Sequence, residues 1–236
     1  MSMRVTRLLP LLLLFALLHG CSTFGPARTV DGKVALDKAV AELSEDQLLD
    51  VWVELFDPGK LPEDPDDAMG LSMEIRDAEA RYMPEQLRAT MESTGYWGAV
   101  RVVPQVAAGS ELRVRGTILE SDGERLALKI KALDATGREW FTRTYREEIE
   151  HAQYLQSGEE GGEAFQSLYN TIANDLAEFR AQLDATQATA IRRVADLRFA
   201  ADLAPDTFAD YIEEDEDTFR AVHLPAADDP MYRRVL

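Results

Sequence analysis

The chain has 236 residues, with 25 lysines and arginines against 43 aspartates and glutamates, three histidines and one cysteine. Its net charge of −18 argues against nucleic acid as a partner and against adhesion to anionic lipid head groups, because both would be repelled. A single cysteine excludes an intrachain disulfide, and so few thiols and imidazoles leave little material for a metal site or a nucleophile. The composition therefore predicts a non-catalytic protein without a cofactor or metal ion.

Residues 1–20 have the layout of a secretory signal peptide. Arg4 and Arg7 precede an almost unbroken apolar run in residues 8–18, and Cys21 follows a small residue. The run is about half of the roughly 20 residues that a helix needs to cross a bilayer. We therefore expect this segment to be removed rather than retained as a membrane span.

Leu18, Gly20 and Cys21 resemble the lipobox of bacterial lipoproteins. The resemblance implies cleavage before Cys21 and attachment of palmitate and other acyl chains to it, so that the mature chain faces the periplasm from a membrane. Ser22 stands where an aspartate would favour retention in the inner membrane, so the outer membrane is expected. Residues 21–34 would form a lipidated tether, and loss of two arginines with the signal peptide changes the charge from −18 to −20.

An α/β domain is predicted in residues 35–185. A short helix is expected in residues 34–43, and two interpretations compete for residues 48–56. Leu49, Val51 and Val53 alternate as in a half-buried strand, whereas Ser44 and Gln47 form a capping-box pattern that would begin a helix. The β-rich Val-Trp-Val sequence favours the strand. Residues 61–67 read as a surface loop.

A helix is predicted in residues 71–94, where apolar residues recur at helical spacing: Ile75, Ala78, Tyr82, Leu87 and Met91. Gly95 is placed to cap its C-terminus. Pro84 either kinks this helix or opens a second one.

Four strands are predicted next, in residues 97–103, 112–120, 125–133 and 138–145, and the last three are joined by two hairpin turns. Apolar and basic residues alternate along them, so one face is buried and the other is wet and partly basic. An apolar stripe at helical spacing then predicts a helix that covers the sheet: Phe165, Leu168, Tyr169, Ile172, Leu176, Phe179 and Leu183. The fold class is α+β, an antiparallel β-meander covered by helices.

Residues 186–236 are predicted to form a C-terminal helical extension. One helix carries Ile191, Val194 and Leu197, and a shorter one, capped by Asp206, carries Phe208, Tyr211 and Ile212. The acidic run in residues 213–217 is expected to be a solvated helix end. Residues 228–236 resemble the start of a further element, which favours a truncated chain.

The order of helix, strand, two hairpins and covering helix resembles the α/β domain of the curli-secretion lipoprotein, the lipoprotein activators of penicillin-binding proteins, and the N-terminal domain of the Tol-system propeller protein. The resemblance rests on the helix-to-strand passage in residues 87–103 and the meander in residues 112–145. It implies a role in protein binding or envelope assembly, and it does not cover the extension.

Motifs for chemistry are weak. His151 and His223 lie near carboxylates without a known ligand spacing, and residues 213–217 lack the glycine turn of a calcium loop. Two interpretations are open for the basic strand face: a lightly covered sheet face, or a basic-aromatic patch for a partner, formed by Arg113, Arg115, Lys129, Lys131, Trp140, Phe141 and Arg143. Because alternate strand residues point to opposite faces, one of Trp140 and Phe141 should be exposed.

The leading hypothesis is a periplasm-facing, non-catalytic module that binds an envelope protein. The first alternative is an accessory subunit of an envelope transport or secretion machine, and the second is an enzyme of unknown type.

Overall fold

The computed structural model describes residues 27–64, 68, 70–104, 108–159, 162–226 and 228–235. The predicted signal peptide and Cys21 lie outside these residues. No helix of the described part is long and apolar enough to cross a membrane.

Six strands of the described chain form one sheet, in the order β1-β6-β5-β4-β2-β3. Their bounds are β1 Arg28–Val30, β2 Val51–Glu54, β3 Val100–Val103, β4 Leu112–Ser121, β5 Arg125–Asp134 and β6 Glu139–Glu148. The helices are α1 Met73–Glu92, α2 His151–Glu159, α3 Gln166–Ala181, α4 Ala185–Leu203, α5 Pro205–Phe208 and α6 Tyr232–Val235. A separate small hairpin consists of β7 Ile212–Asp215 and β8 Thr218–Ala221, and short 3-10 helices lie at Glu45–Gln47 and Ala209–Tyr211.

The predicted meander is correct for β4, β5 and β6, which pair antiparallel. The sheet as a whole is mixed, so the prediction of a purely antiparallel meander is wrong. β1 pairs parallel with β6, and β2 pairs parallel with both β3 and β4. The helix α1 connects β2 to β3, as a parallel pair requires a long crossover. β1 also lies within the segment predicted as a tether.

The strand interpretation of residues 48–56 is confirmed by β2. The capping box is also present, but Ser44 and Gln47 cap the start of the short 3-10 helix Glu45–Gln47 and not the start of an α-helix. The capping pattern and the strand pattern therefore each mark a real element, but both elements are shorter than predicted: three residues for the helix and four for the strand.

The helix α1 runs through Pro84 as one helix, and Gly95 follows it with a positive φ of 75°. Its buried face differs from the predicted stripe. Leu87 and Met91 are fully buried, whereas Ile75 and Tyr82 are about half exposed. The sheet and α3 cover a face rotated toward Ala80 and Met83, both buried.

The core lies between the sheet and the layer of α1 and α3. The inward residues of β4 and β5 are fully buried, as the alternation predicted, and they face the predicted apolar stripe of α3. These residues include Leu112, Val114, Ile118, Leu128, Ile130, Leu168, Ile172 and Leu176. The prediction that this helix covers the sheet is confirmed.

Residues 34–43 are not helical, contrary to the prediction. Backbone groups of this segment form hydrogen bonds with side chains of α3 and with Thr94, which follows α1, instead of with each other. Asn170 and Asn174 donate to the carbonyl oxygens of Val34 and Ala35 at 2.8 and 2.9 Å, and the Ala39 N–H donates to Thr94 O at 2.8 Å. Tertiary partners thus replace the hydrogen bonds of a helix.

The C-terminal extension shares the main core through α4, whose Ala188, Ile191 and Val194 belong to the same buried cluster. The predicted short helix ends early, because Ile212 starts β7, and the acidic run is strand and turn rather than a helix end. The hairpin is held by the β5–β6 turn, since the Phe219 N–H donates to Thr136 O at 2.9 Å.

Candidate partner-binding site on the open sheet face

The face of the sheet opposite α1 and α3 carries Trp52, Arg113, Arg115, Lys129 and Lys131, which we call the open sheet face. Strand alternation places them there, because their neighbours Val51, Leu112, Val114, Leu128 and Ile130 point into the core. The register aligns Trp52 with Arg113 across β2 and β4, and Arg115 with Lys131 across β4 and β5. Four of the seven predicted site residues therefore share one surface.

The centre of the open sheet face reaches solvent. The side chains of Arg115 and Lys131 are 44% and 40% exposed, while Arg113 is 19% exposed. Trp52 is half-buried. An aromatic ring with one edge in contact and one edge wet is a common feature of protein interfaces.

Two carboxylates partly neutralise the four cations. Arg115 Nε donates to both oxygens of Glu54, at 3.0 and 3.1 Å, and Arg113 Nε lies 3.6 Å from the same carboxylate. Lys131 Nζ lies 3.0 Å from Glu139, and this contact contributes most to holding the pKa of Glu139 below its ordinary value. The open sheet face stays positive on a protein whose net charge is −18.

Arg113 is the most constrained of these cations. Burial lowers the pKa of its guanidinium, and the neighbouring Arg115 adds to the effect. Its Nε is buried without a hydrogen bond to the described residues. A negative group brought to this face would reduce the repulsion between the two arginines.

Trp140, Phe141 and Arg143 do not belong to the open sheet face, so the predicted patch is split. Trp140 stacks on Phe179 of α3 with ring centroids 4.8 Å apart, and Arg143 Nη1 donates to Asp175 of α3 at 2.5 Å. Trp140 and Phe141 are only 5% and 9% exposed. Trp140 and Arg143 thus help to attach α3 to the sheet, and Phe141 lies buried against Arg143, whose guanidinium is 4.9 Å from the centre of its ring.

The prediction that one of Trp140 and Phe141 is exposed is wrong because the strand pairing is irregular there. Ala132 pairs with Phe141, but the next residue, Leu133, pairs with Glu139. Trp140 is therefore the extra residue of a bulge. A bulge interrupts strict alternation, so both aromatic side chains reach the helix-covered face.

Sequence reasoning missed Trp52 as a member of this surface. The signal was present, because the inward alternation of Val51 and Val53 places Trp52 and Glu54 outward. What the sequence did not contain was the parallel pairing that brings β2 beside β4.

The histidines weighed as metal ligands lie elsewhere. His151 Nδ1 is 3.3 Å from Glu124, across the start of α2, and the ring of His223 lies 4.4 Å from that of Tyr211. Within the described ranges, no group of three or more His, Cys, Asp or Glu side chains is arranged to hold a metal ion.

The architecture is that of a mixed α/β protein with a small C-terminal hairpin. No family model and no curated protein matches the chain. It is structurally similar to protein XCC0632 from Xanthomonas campestris, a DUF330 protein known from a crystal structure. The two are 12% identical, the similarity covers 64% of this chain and 90% of that one, and the TM-score is 0.36. None of these comparisons bears on the lipobox or on the resemblance to envelope-assembly domains, which remain predictions.

Proposed function

We propose that this chain is a lipid-anchored, non-catalytic module on the periplasmic face of the outer membrane, and that it binds an acidic segment of another envelope protein through the open sheet face. The observation that carries the proposal is the grouping of Arg113, Arg115, Lys129 and Lys131 around Trp52 on an otherwise acidic protein.

Charge supports an acidic partner. A net charge of −18 repels acidic molecules from most of the surface, so only a local positive field can admit one. Complementary charge steers the encounter and suppresses wrong partners. Tryptophan and arginine are also the residue types that most often carry the binding energy of protein interfaces.

The proposed anchor supports a partner close to the membrane. Cys21 and the first strand residue, Arg28, are seven positions apart in the sequence. Seven extended residues span at most about 25 Å, at about 3.5 Å per residue. A lipid on Cys21 would therefore keep Arg28, the first residue of the edge strand β1, within that distance of the bilayer surface.

The test compares two triple variants of the full chain in cells treated with a cross-linker. Arg115→Ser, Lys129→Ser and Lys131→Ser together remove charge from the open sheet face. The matched control replaces three exposed lysines elsewhere, Lys33, Lys38 and Lys60, by serine. Both variants should melt like the wild type, since an exposed charge contributes less than about 1 kcal/mol.

We expect the wild type and the control to cross-link the same acidic partner, and the open-face variant to lose at least about nine tenths of that product, as a deficit of 1.4 kcal/mol would produce. Equal cross-linking by all three proteins would contradict the proposed site. A partner seen only within a larger assembly would favour an accessory subunit of a transport or secretion machine.

A further inference from the structure

A cavity of about 400 Å³ lies at the end of the sheet that carries the β4–β5 turn. It is bounded by α1, α2 and the start of α3, and it is separate from the open sheet face. Tyr82, Tyr154 and Tyr169, one from each helix, provide aromatic walls. Its volume falls within the range of small-molecule sites, about 300–1,000 Å³.

The charged side chains at this cavity are acidic. Among the described residues that line it are Glu79 and Glu163, but no lysine, arginine or histidine. Glu163 accepts a hydrogen bond from the Tyr82 hydroxyl at 2.8 Å and one from the Phe165 N–H at 3.1 Å. It forms no ion pair within the described part of the chain.

Glu79 is only partly satisfied. Its Oε1 accepts a hydrogen bond from the Ser121 hydroxyl at 2.7 Å, while its Oε2 is buried and accepts none from the described residues. Arg76 Nε lies 3.8 Å from that oxygen, too far for a hydrogen bond. That distance still allows an ion pair, so the buried Arg76 guanidinium compensates Glu79, whereas Glu163 has no such counter-charge among the described residues.

Two tyrosine hydroxyls of the cavity are harder to ionise than an exposed tyrosine, chiefly because they are buried. Burial raises the pKa of Tyr82 to about 12, and the hydrogen bond to Glu163 adds to this. Burial also raises the pKa of Tyr169 well above its ordinary value, with further contributions from Glu163, Tyr82 and Glu79. Further negative charge is therefore disfavoured at this position.

We propose that this cavity binds a small organic cation, namely a primary or quaternary ammonium group carried on a short alkyl chain. The tyrosine faces and the Glu163 carboxylate, which has no ion pair among the described residues, attract the positive charge. The alkyl chain packs against Met83, Leu126 and Leu155, which complete the walls.

Other ligand classes fit this cavity less well. The Glu163 carboxylate, without a counter-charge among the described residues, repels an anion. An uncharged apolar ligand would displace water from Glu79 and Glu163 without replacing its hydrogen bonds, which carries a desolvation cost. A cation compensates Glu163, which has no ion pair among the described residues, and still uses the apolar walls.

The first experiment titrates the full chain with choline and with n-butylammonium by NMR, and with 3,3-dimethylbutan-1-ol as the uncharged analogue of choline. We expect saturable binding of both cations and at least about tenfold weaker binding of the alcohol, the factor that 1.4 kcal/mol produces. Equal binding of the alcohol would overturn the proposal. So would the absence of saturation by either cation up to about 50 mM, a limit well above the 1 mM that corresponds to −4.1 kcal/mol. Both outcomes use the wild-type protein, so they do not depend on any variant folding.

The second experiment repeats the titration with Glu163→Gln, which removes the charge and keeps one amide oxygen to accept from the Tyr82 hydroxyl or the Phe165 N–H. We expect about tenfold weaker binding of choline, with the melting temperature unchanged. The control is Glu85→Gln, which removes one charge from the exposed side of α1, where Glu85 pairs with Arg88. An unaltered affinity in Glu163→Gln, or an equal loss in both variants, would overturn the cation site.

Discussion

Glu147 is a carboxylic acid buried between β6 and the first turn of α3. It is only 6% exposed, and its Oε2 accepts a hydrogen bond from the Leu168 N–H at 2.8 Å. Burial raises the pKa of Glu147 to about 7, and Glu163 adds to the effect while the Leu168 N–H opposes it. We predict that Glu147→Gln stabilises the protein above pH 7 and changes little near pH 4.5.

The size follows from proton linkage. An ordinary pKa of 4.5 against a folded-state pKa of about 7 corresponds to about 3 kcal/mol. Between these values the folded protein keeps a proton that the unfolded chain has lost. The contribution of Glu147 to stability is therefore fully present below pH 4.5 and is lost as the pH rises through about 7. Glutamine keeps a side-chain oxygen for the Leu168 N–H and does not ionise.

The assay is urea unfolding of the wild type and Glu147→Gln at pH 5 and pH 8. The difference between the two proteins removes the effect of every group that titrates equally in both. We expect the variant to gain about 2–3 kcal/mol relative to the wild type between these pH values. Glu148→Gln, at the exposed next position of β6, controls for the loss of one negative charge. A constant difference between wild type and Glu147→Gln at both pH values would refute the reasoning.

Three further predictions concern the core, the edge strand and the anchor. Ile172→Asp should abolish cooperative unfolding, because an unpaired carboxylate at this fully buried position costs several kcal/mol, out of a total free energy of unfolding of about 5–15 kcal/mol. An unchanged melting temperature would show that α3 does not cover the sheet. Asp175→Asn removes the carboxylate that Arg28, Arg143 and Tyr145 share, so it should lower the free energy of unfolding by about 1–3 kcal/mol. Amide hydrogen exchange should become faster in β1 than in β4, β5 and β6. An equal increase in all four strands would mean that this cluster does not hold the edge strand. Cys21→Ala should abolish labelling by radioactive palmitate, and labelling that persists would disprove the anchor.

The parts of the fold that depend on local patterns were predictable. Leu112, Val114 and Ile118 alternate with Arg113, Arg115 and Thr117, and a strand must send successive side chains to opposite faces. Leu168, Ile172 and Leu176 recur at helical spacing, so only a helix places all three side chains on one face, where the sheet can bury them. The basic half of the candidate site followed from the same alternation, without knowledge of any tertiary contact.

The sequence by itself thus determined the strands β4, β5 and β6, the helices α1 and α3, and which side of β4 and β5 is wet. Only the tertiary structure decided which strands pair, and the parallel pairing of β2 with β4 is what places Trp52 beside Arg113. It also decided that Trp140 is buried, since the bulge opposite Leu133 depends on the partner strand and on Phe179 of α3. Alternation and helical period are set within one segment, whereas pairing and bulges depend on energies shared between segments far apart in the chain.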